Sequence, residues 1–138
     1  LPPIFSLAAS RTSSHLAIGC EDSTIRILNI MDDELELIAR IELGGPGKVR
    51  ALSLAWGMPI EVPDVTSSSL PAHFATPASP YLIAGCSNST ILRFDSPSSL
   101  ATGSSTNSSA TVWRMLHRMT LDRLKGEQTV VWAVTVLK

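Results

Sequence analysis

Leu16-Ala17-Ile18-Gly19-Cys20-Glu21-Asp22-Ser23-Thr24-Ile25-Arg26-Ile27-Leu28-Asn29 returns 66 positions later as Leu82-Ile83-Ala84-Gly85-Cys86-Ser87-Asn88-Ser89-Thr90-Ile91-Leu92-Arg93-Phe94-Asp95. Leu, Gly, Cys, Ser, Thr and Ile coincide in the two copies. Each copy is a β-rich run, a polar corner and a second β-rich run, which is the pattern of a hairpin. Gly19 and Gly85 fall inside the first run, where a missing side chain lets a neighbouring backbone come close. Self-similarity at a fixed offset indicates a repeat architecture.

A second pattern precedes each hairpin. Ile4-Phe5-Ser6-Leu7-Ala8-Ala9 resembles Ala51-Leu52-Ser53-Leu54-Ala55-Trp56, and Val131-Trp132-Ala133-Val134-Thr135-Val136 is a third copy. Small and large apolar residues follow one another there with little polar relief, as in a strand buried on both faces. After each hairpin comes a run with polar residues at alternate positions. Glu36, Ile38 and Arg40 interleave with Leu35, Leu37, Ala39 and Ile41. In the second copy Trp113, Met115, Met119 and Leu121 share one parity, and Arg114 and Arg118 the other. Such a run suits an outer strand with one wet face. Leu116 and His117 break the parity, which leaves a short helix over 112–121 as an alternative. The predicted order is inner strand, two middle strands, outer strand, next inner strand, about nine strands in all.

The hairpin resembles the WD-repeat pattern L-A-S-G-S-x-D-G-T-I-R-I-W-D, reading here LAIGCEDSTIRILN and LIAGCSNSTILRFD. The resemblance implies an all-β fold: a β-propeller fragment of two four-stranded antiparallel blades and the first strand of a third. Residues 1–43 would form one blade, residues 44–121 a second, and residues 122–138 a linker and the next inner strand. Successive inner strands start 47 and then 80 positions apart, against a usual blade of roughly 40–45 residues. The surplus lies in inserts at 57–80 and 96–111, where 11 of 24 and 11 of 16 residues are Ser, Thr or Pro, so both are expected to be polar rim loops. The matching structural positions are Gly19, Asp22 and Asn29 in one copy and Gly85, Asn88 and Asp95 in the other.

Three departures from the pattern carry consequences. Ser23 and Ser89 stand where the tight turn has glycine. A type I′ turn needs positive φ there, which costs a non-glycine residue roughly 1 kcal/mol; a longer or bulged turn is the alternative. Leu28-Asn29 and Phe94-Asp95 replace Trp-Asp, and no Gly-His pair precedes the inner strands. These changes argue against the usual buried His–Asp network in both blades.

Composition narrows the function classes. Apolar residues make up 44% and charged residues 17% of 138, with net charge −1, so no global field drives the chain onto nucleic acid or anionic lipid. No apolar run approaches the roughly 18 residues of a membrane span, and LPPIFSLAAS lacks a basic leader. The abrupt start and the end within VVWAVTVLK read as an excised stretch of a longer protein.

Few residues invite chemistry. Cys20 and Cys86 hold equivalent strand positions in neighbouring blades and read as small core residues. His15, His73 and His117 have no nucleophile context. Glu21-Asp22 and Asp32-Asp33-Glu34 sit in predicted turns, where Asp is explained by turn chemistry. Gly44-Gly45-Pro46-Gly47-Lys48 lacks the spacing of a phosphate loop and leads into a strand. Asn88-Ser89-Thr90 and Asn107-Ser108-Ser109 are read as chance sequons. No catalytic residue, cofactor or metal site is assigned, and no small-molecule substrate is expected. Arg114, Arg118, Arg123 and Lys125 are the candidate contacts to RNA phosphate or an acidic partner, against the simpler reading of a solvated outer strand and loop.

A narrower resemblance rests on the Gly19-Cys20-Glu21-Asp22 hairpin, on Val49–Trp56, on Arg118-Met119-Thr120-Leu121-Asp122-Arg123, on Lys125-Gly126-Glu127 and on Val131–Leu137. These stretches are similar to the cirhin-type WD-repeat proteins of the small-subunit processome, in its transcription-linked (UTP-A) subcomplex. That resemblance implies a non-catalytic nucleolar scaffold with tandem propellers. It would assemble with other processome subunits on the 5′ region of pre-ribosomal RNA during 18S rRNA maturation, with contact to the RNA backbone. The alternative is an unrelated WD-repeat scaffold in ubiquitin ligation or trafficking.

Overall fold

The structure is a computed structural model that describes residues 2–12, 14–45, 47–59, 79–97, 113–121 and 130–137. Eight strands occur among them: β1 Ile4–Ala9, β2 His15–Cys20, β3 Thr24–Ile30, β4 Leu35–Glu42, β5 Ala51–Gly57, β6 Tyr81–Cys86, β7 Thr90–Asp95 and β8 Arg114–Thr120. They form two four-stranded antiparallel sheets, β1-β2-β3-β4 and β5-β6-β7-β8. This is the up-and-down order of propeller blades, and no described residue is helical.

Local chemistry sets the hairpins. β2 and β3 pair Ala17 with Ile27, and β6 and β7 pair Ile83 with Arg93, the same register 66 positions on. The tight turns between them place Ser23 at φ 63° and Ser89 at φ 64°. Both serines therefore adopt the left-handed backbone, as a primed hairpin turn requires. Between the sheets Gly44, Gly45 and Gly47 have φ of 62°, 102° and 78°, a run of conformations that L side chains disfavour.

The outer strands are bulged. β3 pairs Ile27 with Ala39 and then Leu28 with Leu37, which leaves Ile38 without an opposite residue. β7 pairs Arg93 with His117 and then Phe94 with Met115, which leaves Leu116 likewise. The parity break at Leu116-His117 is thus one extra residue in a strand, and the helical alternative over 112–121 does not occur at Arg114–Thr120.

The two sheets stack face to face. Ala17, Ile25, Ile27 and Ile41 on the first share one buried cluster with Leu54, Leu82, Ala84, Leu92 and Phe94 on the second. Ser6 Oγ donates to the Ala51 carbonyl at 2.6 Å, and Trp56 Nε1 to the Ala8 carbonyl at 2.8 Å. Gly19 faces this seam; a Cβ there would lie 2.6 Å from the Ala51 oxygen, so no larger residue fits. Ile18, Cys20 and Leu28 form a smaller cluster on the far face of the first sheet.

One expectation needs correcting. β1 is not buried on both faces: Leu7, on the face away from the second sheet, is 64% exposed, because that face has no described neighbour. The segment expected to form the ninth strand, 130–137, touches the second sheet at one point without joining a ladder among the described residues. Val131 is buried, its N–H donates to the Cys86 carbonyl at 3.2 Å, and it lies against Gly85 as Ala51 lies against Gly19. Residues 130–137 otherwise have no strand alongside to share ladder bonds. Of the predicted inserts, residues 60–78 and 98–111, with His73 and Asn107, lie outside the described residues.

Candidate interaction surface

The β2–β3 and β6–β7 turns lie at the same end of the stacked sheets, with the glycine-rich crossing beside them. In the first turn Thr24 Oγ1 donates to Asp22 Oδ1 at 2.5 Å, and Arg26 donates to Asp22 Oδ2 at 2.9 Å. Arg40 stands 3.9 Å from the same carboxylate and 2.9 Å from Glu42. The Thr24 hydroxyl, followed by Arg26 and Arg40, holds the Asp22 carboxyl below the usual carboxylate range. In the second turn Thr90 Oγ1 donates to Asn88 Oδ1 at 2.5 Å. The Asp and Asn at equivalent turn positions each accept from the Thr two residues on.

Across the seam Arg50 lies 3.7 Å from Glu21 and 5.3 Å from the centre of the Phe5 ring, tying the second sheet to the first. Asp95 accepts from Arg93 Nε at 3.1 Å, and Arg93 stacks 4.2 Å above the Tyr81 ring. Asn29 pairs in register with His15. His15 sits at the opposite end, beside Ser14 and Trp56, and partial burial lowers its pKa. Cys20 and Cys86 are both free and buried, and burial raises the pKa of each thiol. Each is placed alike in its own sheet, Cys20 on the far face of the first and Cys86 in the seam, so they do not face one another. No group of three or more His, Cys, Asp or Glu residues is arranged to hold a metal among the described residues.

The candidate basic residues are not one patch. Arg114 pairs in register with Asp95, whereas Arg118 pairs with Leu92. The extra residue Leu116 shifts the pleat between them, so the two arginines point to opposite faces of the sheet although their sequence parity is the same. Arg114 joins Arg93, Asp95 and His117 on the far face. Arg118 joins Leu92, Phe94 and Met115 on the face turned to the first sheet. Arg123 and Lys125 lie outside the described residues.

Sequence reasoning missed the feature beside Arg118. The two sheets diverge toward their outer strands and leave a cleft of about 490 Å³, lined by Ile41, Leu43, Phe94, Trp113, Met115 and Arg118. Arg40 and Glu42 border it through β4, but their register partners Arg26 and Thr24 place both side chains on the far face, where they pair with each other. Trp113 is only 8% exposed and meets Trp56 edge-on at 5.6 Å. Its indole Nε1 has no hydrogen-bond acceptor among the described residues, a state that costs a buried donor on the order of 1–3 kcal/mol. No sequence signal marks the cleft, since it joins strands some 75 positions apart whose meeting depends on how the sheets stack.

No family profile matches the chain. Over 54 residues it is 37% identical to the U3 small nucleolar RNA-associated protein 4 homolog of Homo sapiens. That stretch covers 39% of the chain and 7% of the human protein, so the chain matches only a small part of that relative. The repeated hairpins and the two stacked four-stranded sheets are consistent with blades of a WD-repeat propeller.

Proposed function

We infer that the chain is part of a non-catalytic WD-repeat scaffold acting in ribosome biogenesis, of the cirhin type, assembled with other processome subunits in the nucleolus. The observation that carries this reading is the 37% identity to a protein named for its association with U3 small nucleolar RNA. The fold agrees with it: stacked blades present edges, turns and an inter-sheet cleft, which serve binding. Residues 1–43 and 44–121 act as successive blades, with residues 122–138 a linker and the inner strand of the next. Arg114, Arg118, Arg123 and Lys125 are the candidate contacts to the pre-ribosomal RNA backbone or to an acidic partner, and Arg114 and Arg118 reach different faces.

The test is affinity purification of the whole protein from nuclear extract, probed for U3 small nucleolar RNA and processome subunits. Their specific enrichment is expected. Recovery of ubiquitin-ligase or vesicle-coat subunits, with U3 RNA at background, would replace this reading by the unrelated-scaffold alternative.

A further inference from the structure

We propose that the cleft between β4 and β8 is a docking groove for an extended peptide segment of a partner protein, carrying an acidic residue beside a large apolar one. Two observations lead to this occupant. Ile41, Leu43, Phe94 and Met115 supply the apolar part of a mixed wall, and Met115 is 51% exposed. Arg118 supplies the only charged side chain that the register turns into the cleft among the described residues, and it has no acidic partner among them. By contrast, Arg26, Arg40, Arg50 and Arg93 each have one.

These features select a peptide over RNA. A nucleic-acid groove strings several cations along a phosphate backbone and stacks bases on exposed rings. Here one cation stands over aliphatic and thioether groups, and both aromatic rings in the wall are buried. A single carboxylate meets Arg118, and the adjacent apolar side chain covers Met115 and Phe94. β8 is the outermost strand of its sheet among the described residues, so the segment lies along an edge where extended peptides add readily. The inference rests on the scaffold reading only in taking the occupant to be a protein.

The test measures fluorescence anisotropy of a fluorescein-labelled peptide of alternating glutamate and leucine, titrated with the whole protein. A peptide with lysine for glutamate serves as the charge control. Arg118→Glu is expected to weaken binding at least about tenfold, with Arg118→Gln intermediate. Arg114→Glu, on the opposite face of the same strand, should change it by less than about twofold. Equal losses for Arg114→Glu and Arg118→Glu would overturn the proposal, as would equal binding of the lysine peptide. Efficient competition by single-stranded oligouridylate would also overturn it, and would assign Arg118 to RNA. Loss of U3 RNA association with peptide binding and its Arg118 dependence intact would overturn the ribosome-biogenesis reading alone.

Discussion

The two sheets are built on one 14-residue template, yet equivalent positions carry opposite chemistry according to what presses on them. Arg26 in the first sheet corresponds to Leu92 in the second, and Ile27 to Arg93. Ile27 and Leu92 meet in the seam, fully or almost fully buried. Arg26 and Arg93 point to the two far faces, each with an aspartate within 3.1 Å. The backbone pattern therefore fixes the hairpin, while the neighbouring sheet fixes which of two adjacent positions must be apolar. A charge is tolerated on either far face and excluded from the seam, because desolvating an unpaired ion outweighs any contact it could make there.

Exchanging the two chemistries gives the largest expected effect. Leu92→Arg should lower stability by roughly 3–5 kcal/mol, because it buries an unpaired cation against Ile25 and Ile27. Arg93→Ile, at the adjacent far-face position, should shift it by no more than about 1 kcal/mol. Urea unfolding of the whole protein compares them, and similar midpoints for the two variants would break the distinction between seam and far face.

The glycines give the next contrast. Gly19→Val drives a branched side chain into the Ala51 backbone, which cannot move without parting the sheets. Gly85→Val meets the side chains of Ser53 and Val131, which can turn aside. Losses of about 3 kcal/mol and about 1–2 kcal/mol are expected, in that order. A larger loss for Gly85→Val would show that residues 130–137 are held more firmly than their single hydrogen bond to Cys86 implies.

Two tryptophans sharpen the account of the seam. Trp56→Phe removes the indole donor to the Ala8 carbonyl and should cost about 1 kcal/mol, whereas Trp113→Phe removes a donor without an acceptor and should be neutral or slightly stabilising. Differential scanning calorimetry on the two variants decides this.

The smallest effect is in the turns and at His15. The Asp22 carboxyl titrates below its ordinary range in the fold, so its contribution is complete above about pH 4 and fades as pH falls further. Asp22→Asn, which copies the turn of the second sheet, should flatten that part of the stability–pH profile. His15 is depressed by burial, so the unfolded chain takes up its proton first, and stability falls as pH drops below about 6.5. His15→Gln should remove that second, shallow slope.

The repeat offset, the hairpins and the strand order were legible in the sequence because they rest on local rules: alternation with period two, turn residues, and apolar runs bounded by polar corners. Leu116 announced itself as a break in parity, but parity alone could not say whether a helix or a bulge resolved it.

The sequence by itself determined the hairpins and the order in which strands follow one another. Only the tertiary structure decided which face of each sheet is pressed, that Arg114 and Arg118 part to opposite sides, and that Trp113 and Ile41 wall a common cleft. The physical reason is register. A strand's side chains alternate along its own chain, but which side is covered depends on a partner sheet, and one unpaired residue inverts the alternation beyond it.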